Sequence, residues 1–196
     1  MSHLVASRCV ALFFVAVLMP GCAYEDGGTL TAAALDVPDC HQRDVTARLE
    51  PFRFPIHFMG IHAASDAVTV RLGPAATEAW RADQLVFSVP AAVVAAANGA
   101  AFQVELDDAP IGSPNLGRLS IIFARTCAIP SAALVGRGHV EITAWGVGAG
   151  DRIAGSIIVD LVDPRSGEVR GAAFGGDFDM VVKSGTPYTA FAPTHF

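Results

Sequence analysis

The sequence predicts an all-β fold, an antiparallel β-sandwich or barrel with one or two short helices. Three observations predict it. Several short stretches alternate apolar and polar residues with a period of two, the repeat that sets one side of a strand on a core and the other in water. Glycine- and proline-rich turns separate these stretches, as in all-β proteins. Strand and helix patterns do not recur in alternation, which excludes a doubly wound α/β sheet.

Each element has its own signal. Val68–Leu72, Leu85–Val89, Phe102–Asp107 and Val140–Thr143 alternate, with Trp145 as a continuation of the last. Arg118–Ala124 and Ile153–Val162 are more continuously apolar, which suits central strands or strands covered on both faces. Asp163-Pro164-Arg165-Ser166-Gly167 reads as a hairpin turn into a strand over Glu168–Ala173. Gly146–Asp151 reads as a loop, and Gly175-Gly176 as a break before a last strand, Asp177–Lys183. One helix stands out: Pro90 suits its first position, Ala91–Ala97 has high helix propensity, and Asn98-Gly99 ends it. Thr77–Asp83 predicts a further helical turn. In the stretch 51–58, Phe52, Phe54, Ile56 and Phe58 share a face while Pro51 and Pro55 lack ladder donors, which describes an edge strand. That apolar face belongs to the core or walls a groove for a lipid or apolar peptide.

These assignments predict that Phe87, Phe102, Val104, Leu106, Ile142, Ile157, Val159, Phe178 and Met180 are buried. They predict that Gln103, Glu105, Glu141 and Asp179 are exposed, because a one-residue slip would turn over the whole face.

Composition narrows the function. The 196 residues are 52% hydrophobic and 16% charged, with a mean hydropathy of +0.45. Thirteen Lys plus Arg against nineteen Asp plus Glu give a net charge of −6. Disorder is excluded, since it needs low hydrophobicity and high net charge. An acidic chain with Lys183 as its single lysine is no nucleic-acid binder, because phosphate backbones require clustered positive charge. Lys183 follows Val182 rather than Gly, so there is no Walker A loop.

The N-terminus carries an address. Met1–Arg8 contains one firm positive charge, Arg8, and Cys9–Met19 is a charge-free apolar run. The run fits a signal-peptide h-region and falls short of the roughly 20 apolar residues that span a bilayer. It ends in Leu18-Met19-Pro20-Gly21-Cys22, which resembles the lipobox of bacterial lipoproteins. Gly21 and Cys22 match the small residue and the thiol of that motif; Met19 and Pro20 depart from it. The resemblance implies that a diacylglyceryl group is carried on Cys22 and that cleavage occurs just before it. The expected organisation is a signal peptide over 1–21, a lipid-anchored flexible linker over 22–39, and a single β-sandwich domain over 40–196. The stretch from Gly138 through Gly171 is also similar to uncharacterised β-domains of lipoproteins and secreted proteins from high-GC bacteria, a likeness that implies fold and no active site. The expected partner is a membrane, reached through the lipid, with a protein or an envelope glycan as a further candidate.

An exported domain retains two cysteines, Cys40 and Cys127, in an oxidising compartment, which predicts a disulfide between them. The alternative is two separate buried thiols.

Local signals for catalysis and metal binding are weak. His57 and His62 lie at odd spacing, on opposite faces of one strand unless Gly60 bends it. His41, His139 and His195 have no local partner. Asp107 and Asp108 form one acidic group, and Asp160, Asp163, Asp177 and Asp179 a second, without the Asp-x-Asp-x-Asp-Gly loop of a calcium site. No serine sits in Gly-x-Ser-x-Gly. Trp80 and Trp145 are candidates for stacking on sugars and also for simple packing. Neither a cofactor nor a metal is expected.

Two functions remain. The first is a non-enzymatic, lipid-anchored binding or structural module of the cell envelope. The second is a periplasmic or surface hydrolase with a loop-built site, which requires that some of His41, His57, His139, Asp108, Asp163 and Asp179 converge.

Overall fold

Residues 27–40, 46–74, 82–127, 133–148 and 150–182 are described by the structure, a computed structural model. Twelve strands and one helix follow one another along these residues: β1 (Gly27–Ala32), β2 (Leu35–Val37), β3 (Ala47–Leu49), β4 (Phe52–Ile56), β5 (Phe58–Ala63), β6 (Ala67–Gly73), β7 (Gln84–Pro90), α1 (Ala91–Ala97), β8 (Phe102–Leu106), β9 (Leu116–Ile122), β10 (Leu134–Ala144), β11 (Arg152–Val162) and β12 (Val169–Val181). The all-β expectation holds. Helix α1 runs over the predicted residues and ends on Asn98 in the left-handed conformation. The predicted turn over Thr77–Asp83 lies largely outside the described residues.

Ten strands form one hydrogen-bonded sheet in the order β4-β1-β12-β11-β10-β8-β9-β7-β6-β5, and β2 pairs with β3 in a small second sheet. The outermost strands of the large sheet, β4 and β5, are separated by a single residue, His57. Two edges joined by so short a link cannot lie far apart, since a residue spans at most about 3.6 Å. The sheet therefore curls on itself and is nearly closed and barrel-like. The run 52–63 makes the closure: its first half pairs with β1 and its second half with β6. His57 N–H donates to the Gly73 carbonyl at 2.9 Å at the changeover. The rings confirm the curl, because Phe87 on β7 meets Phe178 on β12, strands far apart in the sheet order, at 6.1 Å between centroids.

The alternation places apolar side chains inside. Phe87, Val104, Leu106, Ile142, Ile157, Val159, Phe178 and Met180 are buried, as predicted, and Gln103, Glu105 and Glu141 are exposed. Two positions differ. Phe102 is half-buried, because it sits at the start of β8 and packs edge-on against Trp145 at 5.6 Å rather than in the interior. Asp179 is half-exposed, since Arg152 lies over it. Phe52, Phe54 and Ile56 do point into the core, with Phe52 against Phe123 at 5.8 Å and Phe174 at 5.7 Å; Phe58 belongs to β5 and is only half-buried.

The expected linker needs the largest correction. Residues 27–37 are not a tether but β1 and β2. Leu30, Leu35 and Val37 are fully buried. Burying each contributes about 1.5–3 kcal/mol, which outweighs the weak strand preference of the surrounding Gly and Thr residues. β1 is an interior strand of the sheet, between β4 and β12. The domain thus begins by Gly27 rather than at Cys40.

Two further expectations change. The strands read as Glu168–Ala173 and Asp177–Lys183 are one, β12, continuous through Gly175-Gly176. A Cβ at Gly176 would run into the Thr29 carbonyl oxygen, and its φ of +152° disfavours other residues, so this glycine serves close strand packing rather than a turn. Ala173, at φ +49°, marks an irregularity in β12 that Asp160 supports by accepting its N–H at 2.8 Å. Finally, the sheet is not wholly antiparallel. β8 and β9 run parallel, and both lie along β10, which pairs with β9 through Leu134–Gly136 and with β8 through Gly138–Ile142. Gly138 stands where β10 changes partner, at φ +152°.

Candidate functional site

The seam left by the closure opens a surface cleft of about 300 Å³. Its walls come from four places: Phe52, Arg53, Phe54 and Pro55 of β4, Pro74 after β6, Asp83 before β7, and Arg125 and Thr126 after β9. Strand alternation turns Phe52 and Phe54 inward and leaves Arg53 and Pro55 at the surface. Pro55 has no N–H to offer a ladder, which suits the outermost strand of the sheet.

Asp83 organises the far wall. Its Oδ1 accepts the backbone N–H of Arg125 at 2.8 Å and of Thr126 at 3.0 Å, and its Oδ2 accepts the Thr126 hydroxyl. This turn is tied down a second time by the disulfide between Cys127 and Cys40, whose Cα atoms are 4.5 Å apart. The predicted pairing is thus present, and it joins the chain after β2 to the chain after β9.

The arginines show what is unusual about the cleft. Among the described residues, Arg48, Arg118, Arg137, Arg152, Arg165 and Arg170 are each in an ion pair. Arg71 is buried with its guanidinium 5.3 Å over the Phe58 ring. Arg53 and Arg125 have no ion pair among the described residues, both are exposed, and both line the cleft.

The residues singled out from the sequence lie elsewhere. Cys22, His41, Trp80, Lys183 and His195 fall outside the described residues. His57 sits between β4 and β5, His62 is exposed on β5, and His139 is half-buried on β10 opposite Glu105. The acids do not gather at one place, and Asp177 is exposed on β12. Asp107 pairs with Arg137 and Asp108 with Arg118, both at 3.1 Å, and Asp179 takes Arg152. No group of three or more His, Cys, Asp or Glu side chains among the described residues could hold a metal. Trp145 packs on Phe102.

Asp163 is buried in the β11–β12 turn. It accepts the Arg165 N–H at 3.0 Å and the Arg165 side chain at 3.2 Å, with Arg170 at 3.5 Å, while Arg165 also reaches Asp39 at 2.7 Å. Burial pushes its carboxyl up, but the Arg165 hydrogen bonds and the charges of Arg165 and Arg170 outweigh that and hold it below its usual range. A carboxyl lowered by folding adds stability that is complete above its unfolded value, about 3.9, and is lost as pH falls through the lower folded value. Asp163→Asn should therefore flatten the acid side of the stability curve. Urea midpoints measured from neutral pH down into the acid range check this; curves that stay parallel would mean that Asp163 contributes nothing there.

Of the cleft only one wall was legible beforehand, the 51–58 run read as core or groove wall: Phe52 and Phe54 are core residues that also border it. Arg53 entered only as a spacer in an aromatic run, and Arg125 and Asp83 carried no motif. Comparison with models of protein families, with curated proteins and with solved structures finds no match.

Proposed function

We propose that this protein is a lipid-anchored module of the cell envelope that binds a partner rather than transforming a substrate. The observation that carries the reading is Gly21-Cys22 at the end of the charge-free run Cys9–Met19. An anchor at Cys22 lies five positions before Gly27, where β1 begins, a reach of roughly 17 Å when fully extended. Such a short tether holds that end of the domain close to the bilayer. No helix among the described residues is long and apolar enough to cross a membrane. The sheet's outer face bears Glu105, Glu141 and Arg137, unlike the apolar outer band of membrane barrels. A non-enzymatic role is favoured because Asp108, Asp163 and Asp179 are spent on ion pairs in separate places.

Metabolic labelling with a fatty acid tests the anchor. Cys22→Ala should abolish labelling and block cleavage before residue 22. A mature amino terminus elsewhere, with labelling retained in the variant, sinks the reading.

A further inference from the structure

We infer that the seam cleft binds an oxyanion, a carboxylate or phosphate group, through the guanidinium groups of Arg53 and Arg125. The chain is acidic, with a net charge of −6, and has few cations to spare. Most of its described arginines are used to neutralise carboxylates, whereas these two are not, and they come to one cleft from distant parts of the sequence. The carboxylate that shares the cleft, Asp83, sets one formal negative charge against their two positive charges, so the lining stays net positive. Asp83 is occupied by two backbone N–H groups and the Thr126 hydroxyl, so it shapes the turn that presents Arg125. Planar guanidinium groups match the paired oxygens of carboxylates and phosphates and form charge-assisted hydrogen bonds with them. Pro55 and Pro74 offer an apolar flank for an uncharged remainder, and about 300 Å³ is the size of a small-ligand site. The reading rests on the folded domain alone. Loss of anion binding and loss of lipidation are therefore separate outcomes, and either can fail without the other.

Titration calorimetry with inorganic phosphate and with D-glucuronate, and with glucose as the neutral control, tests the inference on the folded chain. At least one anion should bind saturably in the millimolar range or tighter, glucose should not, and added NaCl should weaken binding, as it does for an open site. Arg53→Gln and Arg125→Gln should each lower affinity by roughly ten-fold or more. Both arginines are exposed and outside any ion pair among the described residues, so both variants should keep the wild-type Tm. Arg137→Gln, on the outer face, should leave affinity unchanged. Tighter binding of phosphate assigns a phosphoryl group, and tighter binding of glucuronate assigns a sugar acid. Absence of saturable binding by either anion, equal binding of glucose, or binding that survives both cleft substitutions overturns the proposal.

Discussion

Replacing Cys40 and Cys127 together by alanine should lower stability by about 4–5 kcal/mol, the loop-entropy value for a bridge of this span. The two cysteines are 87 residues apart, so the bond closes a loop holding more than half of the described chain. Without it, the unfolded chain regains the freedom to separate the β2 end from the turn after β9. The folded state loses little else, since both side chains are small and already buried. Urea unfolding of the double variant and of the reduced wild type should give the same lowered midpoint. A shift below about 1 kcal/mol in both would mean that native contacts alone hold the arm that carries β1 and β2, and that the loop argument fails here.

Phe87→Ala should cost about 3–5 kcal/mol, the range for truncating a large buried aromatic. Phe87 is fully buried on β7 and faces Phe178 across the interior, so its removal leaves a void between two walls that cannot collapse independently. Phe102→Ala should cost less, about 1–2 kcal/mol, since part of that ring already meets water and its main partner is Trp145. Glu105→Ala, on the exposed face of β8, should stay within about 0.5 kcal/mol. Equal losses for Phe87 and Phe102 in the same urea titration would contradict the barrel-like curl, because it is the curl that separates their environments.

The strands were legible where their signal is local. Alternation in Val68–Leu72 and Phe102–Leu106, the Asp163–Gly167 turn, and the Ala91–Ala97 run ending on Asn98 translate directly into β6, β8, the β11–β12 hairpin and α1, while Pro90 ends β7 and caps the helix rather than opening its first turn. Each depends on residues a few positions apart, so no knowledge of the rest of the fold is needed. The cysteine pairing was legible for a different reason: an even pair with an expected oxidising address leaves few choices. The acidic residues were legible only as a list. Asp163 reads as a turn residue, and nothing local says that Arg165 and Arg170 will enclose it or that Asp39 will share Arg165.

The sequence by itself determined the all-β class, the side of each alternating strand that faces inward, the main helix, and the cysteines available to bond. Those properties follow from residue spacing and from side-chain chemistry. Only the tertiary structure decided that residues 27–37 belong to the core, that Gly175-Gly176 continues a strand, that β8 and β9 run parallel, and that Arg53 and Arg125 line one cleft. A glycine permits both a turn and a close strand contact, and the backbone that arrives opposite it selects between them. Likewise, an arginine in the middle of a strand is a surface residue until closure of the sheet makes it part of a cleft wall that a second arginine also lines. These outcomes depend on partners distant in sequence, whose positions are set when the two edges of the sheet are drawn together at His57.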